Sequence, residues 1–261
     1  MAHASTLSTP DSAVPEVNRI GVDDLKLALQ RGLADFRDKP SHLLFLAIIY
    51  PIMALLLARA AFGYAIVPLL FPLTAGFALL GPLAAIGLYE LSRRREQGQE
   101  VAWRHAFNVL SSPSIGAILK LGAVLLVTFV LWLAIAMGLY AATLGALPGS
   151  LGDFLGRLFS TGEGWTLIIL GNGIGLLFAI FVLMISVVSF PMLVDRPVSA
   201  STAARTSVRA VLASPATMAV WGLIIAALLV LGCLPFFVGL AVVMPVLGHA
   251  SWHLYRRVVP S

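Results

Sequence analysis

The sequence predicts an all-α polytopic membrane protein: six transmembrane helices in three hairpins, each preceded by an amphipathic helix in the cytoplasmic interface. Three observations predict it. Of the 261 residues, 59% are hydrophobic and only 11% charged, whereas a soluble domain carries roughly a quarter charged residues. Apolar runs of roughly 20 residues, the length that crosses about 30 Å of hydrocarbon, recur along the chain. All but two of the 17 Lys and Arg fall on one side of those runs, the asymmetry expected of cytoplasmic loops.

The spans are placed at 43–62, 66–91, 114–140, 165–192, 215–233 and 236–255. Two breaks are tight, AFGY (Ala61–Tyr64) and GCLP (Gly232–Pro235), both marked by Gly or Pro. On the inner side stand the basic residues of the N-terminal segment, Arg93, Arg94, Arg95, Arg104 and Lys120, then Arg196, Arg205 and Arg209, and finally Arg256 and Arg257. Arg59 and Arg157 are on the outer side. An even number of spans with both termini inside fits this split. Residues 1–20, rich in Ser, Thr, Ala and Pro, read as a disordered cytoplasmic tail. No signal-peptide apolar core stands in the first forty residues. Residues 21–261 form one membrane domain.

The three connections that enter odd-numbered spans share a form. They read LQRGLADFRDKPS (Leu29–Ser41), AWRHAFNVLSSPS (Ala102–Ser114) and AARTSVRAVLASPA (Ala203–Ala216). Aligned on Pro40, Pro113 and Pro215, apolar residues recur four, seven and eleven positions earlier: Phe36, Leu33 and Leu29; Val109, Ala106 and Ala102; Val211, Val208 and Ala204. That spacing is one helix face, with Arg31 and Arg104 on the other. Such a helix lies in the interface with its basic side toward anionic headgroups, and the proline opens the span. Repeat-like units follow at about 21–95, 96–197 and 198–257. The helix exits also correspond: Pro82 precedes Arg93 by the same interval that separates Pro245 from Arg256, with Tyr89 matching Trp252 and Glu90 matching His253. Trp252 and Tyr255 are expected in the aromatic belt, and the exit arginines as interfacial anchors.

Several short motifs, in order, resemble one family. ALQRGLADF, GPLAAIGLYELSRRRE, FPMLVDRPVSASTAARTS and GHASWHLYRR are similar to a bacterial integral-membrane family catalogued as domain of unknown function 2189. The resemblance covers roughly residues 20–258. It implies a six-helix inner-membrane protein and carries no established activity. Such chains are sometimes labelled cytochrome c oxidase subunit I, but a haem–copper core has more helices and more ligand histidines than the five histidines here. VDRPVSASTAARTSVRAVLASP also resembles the interfacial segment of membrane domains attached to some glycerophosphodiester phosphodiesterases, whose catalytic barrel is not among these residues.

The polar residues expected inside the spans are Glu90, Asn172, His249 and His253. His249 and His253 are four residues apart and share a helix face. An ionisable group within a span is a functional candidate by default, and imidazole is a common metal and haem ligand. Two ligands do not close a site, however, and the simpler reading is a pair of neutral histidines hydrogen-bonded between helices. Glu90 pairs most simply with Arg93 or Arg94 one turn on; a cross-helix clasp with His253 is the sharper alternative. GNGIG (Gly171–Gly175) has no strand before it and reads as a small-residue face for helix packing, with Asn172 as interhelical glue. LGDFLGRLF reads as a short helix on the outer surface.

These features exclude some classes. The basic residues form no single run, so no nucleic-acid partner is expected. Cys233 alone permits no disulfide and reads as a buried thiol. Six of the twelve acidic residues lie in the N-terminal segment, Asp35 and Asp38 among them, and no catalytic set stands out. No cofactor is expected. Three functions stay open: a non-catalytic accessory or scaffold subunit, with membrane-protein partners or a homo-oligomer; a small permease with a polar cytoplasmic vestibule; and a haem- or metal-binding membrane protein using His249 and His253.

Overall fold

The computed structural model describes residues 15–38, 52, 67–145, 150–235 and 237–260. All of span one but Ile52, the AFGY break, Pro40 and Arg59 lie outside them. The described residues form helices and connections, with no strand among them. The helices are α1 (Val22–Asp38), α2 (Val67–Leu79), α3 (Gly81–Ala84), α4 (Ile86–Glu96), a 3-10 helix (Trp103–Ser111), α5 (Ile115–Thr143), α6 (Leu151–Ser160), α7 (Gly162–Ser186), α8 (Ser189–Asp195), α9 (Ala200–Ala213), α10 (Pro215–Cys233) and α11 (Leu240–Val258).

Among the described residues, three stretches are long and apolar enough to cross a membrane: Ile115–Thr143, Gly162–Asp195 and Pro215–Cys233. They coincide with expected spans three, four and five. Span two is instead broken into α2, α3 and α4, with Pro72 inside α2 and Pro82 in the first turn of α3. A proline donates no backbone N–H and disfavours continuation of the preceding turn. Span six is one helix, α11, but its second half carries His249, His253, Arg256 and Arg257, which takes it out of the long apolar class.

The connection helices depart from the expected register. In α1 the fully buried stripe is Leu25, Ala28, Gly32 and Asp35, while Leu29, Leu33 and Phe36 are half-buried. In α9 it is Ala203, Thr206, Ser207 and Ala210, one residue off the expected Ala204, Val208 and Val211. In α1 the cause is close approach: a Cβ on Gly32 would lie 2.5 Å from the backbone nitrogen of Ala250. Small residues take the contact line and larger ones flank it. The second connection is a 3-10 helix. It buries Val109 and sets Ala106 against Gly87, yet leaves Trp103, Phe107 and Leu110 exposed.

These helices pack in a consistent order: the 3-10 helix on α4, α9 on α8 and α7, and α1 along α11. The helices α4, α8 and α11 also meet one another. Around them Phe190, Met192, Leu193, Trp252, Leu254, Tyr255 and Val258 are fully buried. The lead into α1, expected to be disordered through residue 20, is anchored: the Asn18 N–H donates to the Val258 carbonyl at 2.8 Å and the Ile20 N–H to Ser214 Oγ at 3.0 Å. At the other pole, α6 forms as expected, capped by Ser150, which accepts from the Asp153 N–H. Cys233 is half-buried rather than buried.

Candidate functional site: a carboxylate at the junction of α1, α4 and α11

Three helices bring polar groups together. Helix α1 lays its small-residue stripe against α11, which carries Asp35 inward. The exit helix α4 supplies Ser92 and Arg95, and α11 supplies His249 and His253. Asp35 is only 7% exposed.

Every strong partner of this carboxylate comes from another helix. Arg95 Nη1 stands 2.9 Å from Oδ1. Ser92 Oγ donates to Oδ2 at 2.5 Å, and His253 Nε2 meets the same oxygen at 2.8 Å. His249 Nδ1 is 2.7 Å from Ser92 Oγ. The hydroxyl proton points at Asp35, so His249 Nδ1 carries the proton it shares with Ser92. That tautomer leaves Nε2 as a bare acceptor, buried and without a hydrogen-bond partner. Arg95 is further fixed by the Ala34 carbonyl at 3.1 Å and by Asp38 at 3.8 Å. Burial pushes the Asp35 carboxyl up, but the hydrogen bonds from His253 and Ser92 and the nearby imidazoles outweigh it and hold it below the usual carboxylate range. A narrow cleft of about 10 Å³, room for about one water, borders the cluster, lined by Asp35, Asp38, Ser92, Arg95, Val101 and His249 among others.

The structure brings together only part of the expected polar set. Glu90 is 3% exposed and its carboxylate takes Arg93 at 2.7 and 3.0 Å, the simple pairing one turn on. The cross-helix clasp exists, but its acid is Asp35. Asn172 does not join: its amide is exposed and donates to the Ile168 carbonyl of its own helix at 2.8 Å. Gly175 and Gly171 do face α5, toward Trp132 and Leu139. His253 spends its Nε2 on Asp35 and His249 its Nδ1 on Ser92, and no metal-holding group of three stands among the described residues.

The anchors divide likewise. Trp252 and Tyr255 are fully buried rather than belted: Trp252 Nε1 donates to Glu96 at 3.1 Å and the Tyr255 hydroxyl to Asp195 at 2.6 Å. Arg256 reaches Glu96 at 3.1 Å and Arg257 reaches Asp24 at 2.7 Å. Arg94 donates to the Glu100 carbonyl and Arg104 reaches the Glu100 carboxylate. Arg205 and Arg209 are exposed on α9.

Asp35 and Ser92 are the residues that sequence reasoning missed. One signal pointed to Asp35: it continues the small-residue stripe of Ala28 and Gly32 at helical spacing. Ser92 had none, being a serine beside an arginine run.

The chain matches no curated protein and no solved structure. A family model does match, over residues 70–195. That stretch runs through α2 to α8, so it contains Glu90, Ser92, Arg93 and Arg95 but not Asp35, His249 or His253. The model that matches residues 70–195 is described as predicted integral membrane protein (DUF2189), the family that the chain's motifs resemble.

Proposed function

We propose that this integral membrane protein is a non-catalytic accessory or scaffold subunit of a membrane complex in the bacterial inner membrane. In this reading it has six spans and both termini cytoplasmic, and Arg205 and Arg209 face anionic headgroups. The observation that carries it is the self-pairing of the inner layer. Asp35 with Arg95, Glu96 with Arg256 and Asp24 with Arg257 bind one element to another, and Glu90 takes Arg93 within α4. Charges spent on each other build a fixed platform and leave few for a passing solute. The order of packing supports a threefold duplication: each connection helix rests on the exit helix of the unit before it, and α1 on α11 closes the circuit.

A second reading, a small permease, is favoured by the buried, unspent Nε2 of His249 near Asp35. Gentle purification from the source membrane, with mass spectrometry and a visible spectrum, tests the first. A stoichiometric membrane partner is expected. Solute flux in liposomes that His249→Ala abolishes would overturn it for the permease, and haem-band absorption would overturn it for a cofactor protein.

A further inference from the structure

We propose that Arg95, Ser92 and His253 form a receptor site for one carboxylate group, which Asp35 fills in cis as a built-in ligand. This does not depend on the accessory or permease reading. The donors converge on both oxygens of a single carboxylate: Arg95 on Oδ1 at 2.9 Å, Ser92 and His253 on Oδ2 at 2.5 and 2.8 Å. All three stand on α4 and α11, so the site belongs to the body of the protein and the anion to α1. The site is also built without Asp35, because His249 Nδ1 holds the Ser92 hydroxyl at 2.7 Å.

The placement of α1 has supports besides that carboxylate. Gly32 packs on Ala250, Arg257 pairs with Asp24 at 2.7 Å, and Asn18 and Ile20 bond to Val258 and Ser214. Removing the Asp35 side chain therefore leaves the helix tied and opens a carboxylate-sized space among three donors. A narrow cleft lined by Asp35, Asp38, Ser92, Arg95 and His249 among others borders that space. A charged, hydrogen-bonded oxygen pair is recognised far better by a guanidinium and two further donors than by any one of them. The class of ligand is a compact carboxylate, free in solution or carried on a lipid headgroup.

The test uses the full chain in lipid nanodiscs at neutral pH. The thermal unfolding midpoint of Asp35→Ala is followed against sodium formate, with sodium chloride at equal ionic strength as the control. Formate is expected to raise the midpoint saturably and chloride is not. At about ten times its dissociation constant, formate multiplies the folding equilibrium about tenfold. Arg95→Ala in the same background removes the response. Nanodiscs of phosphatidylserine against phosphatidylglycerol, equal in charge but only one bearing a carboxylate, separate the lipid source from the free one. Asp35→Ser, which also vacates most of the carboxylate's space, serves where Asp35→Ala does not fold. Its formate response lies between that of Asp35→Ala and the unchanged protein. Equal responses to formate and chloride, in whichever of the two variants folds, overturn the proposal, as does a formate response that survives loss of Arg95.

Discussion

The neighbours α10 and α11 are both 19 residues long, and they meet opposite surroundings. Only 17% of the apolar window of α10 is buried within the protein, and Leu223, Val230 and Leu231 face outward. The second half of α11 is enclosed: Trp252, Leu254, Tyr255 and Val258 have no exposed surface, and its polar groups meet partners on α1, α4 and α8. A helix whose outside is lipid asks only that its side chains be apolar. A helix whose outside is protein asks for particular shapes and particular donors. Sensitivity to substitution should therefore follow the partner and not the hydrophobicity.

The largest break in that contrast is expected at Gly32. A β-branched side chain there meets the backbone of Ala250, which cannot swing away as a side-chain tip can. Gly32→Val should cost about 3 kcal/mol, read as a lowered unfolding midpoint with faster hydrogen exchange across 22–38. If the midpoint does not move, α1 is not seated on α11 as described.

Next is Asp35→Ala, which leaves Arg95 and His253 without their anion. The loss is expected at about 2 kcal/mol, discounted because Arg95 is partly in solvent. Acid should reproduce it. The folded carboxyl titrates below the ordinary value of 3.8, so its contribution is whole above that value and is lost as pH falls through the depressed one. An acid titration of the unfolding midpoint checks this, and Asp35→Asn should flatten it below pH 4 or so.

A smaller effect is expected where two apolar helices touch. Gly175 lies against the far edge of the Trp132 ring, 3.1 Å from where a Cβ would stand. Gly175→Val should cost about 1 kcal/mol, since a ring edge yields more readily than backbone. Smallest is Leu223→Ala on the outward face of α10, where Leu223 is 68% exposed; less than about 0.5 kcal/mol is expected in nanodiscs. A larger loss would mean that protein, not lipid, covers that face.

The same contrast explains what was legible beforehand. Spans three, four and five could be placed to within a few residues, because an unbroken apolar run needs no partner to be recognised. The register of α1 and α9 slipped by one residue, because hydrophobicity pointed to Leu29, Leu33 and Phe36 while close packing chose Ala28 and Gly32. Trp252 and Tyr255 were assigned to the lipid interface by residue type. Their indole and hydroxyl groups instead find Glu96 and Asp195, which are distant in sequence.

The histidine pair shows the division most clearly. The sequence by itself determined that His249 and His253 share a face near the exit of α11, since helical periodicity fixes that locally. It also determined that the chain is an integral membrane protein, since 59% hydrophobic residues leave no other solvent for it. Only the tertiary structure decided which acid the histidines meet. Asp35 is more than 200 residues from either of them, counted with the tail acids and given no role. The close contact of Gly32 with Ala250 brings it under α11, and only there does burial turn an ordinary aspartate into the centre of the site.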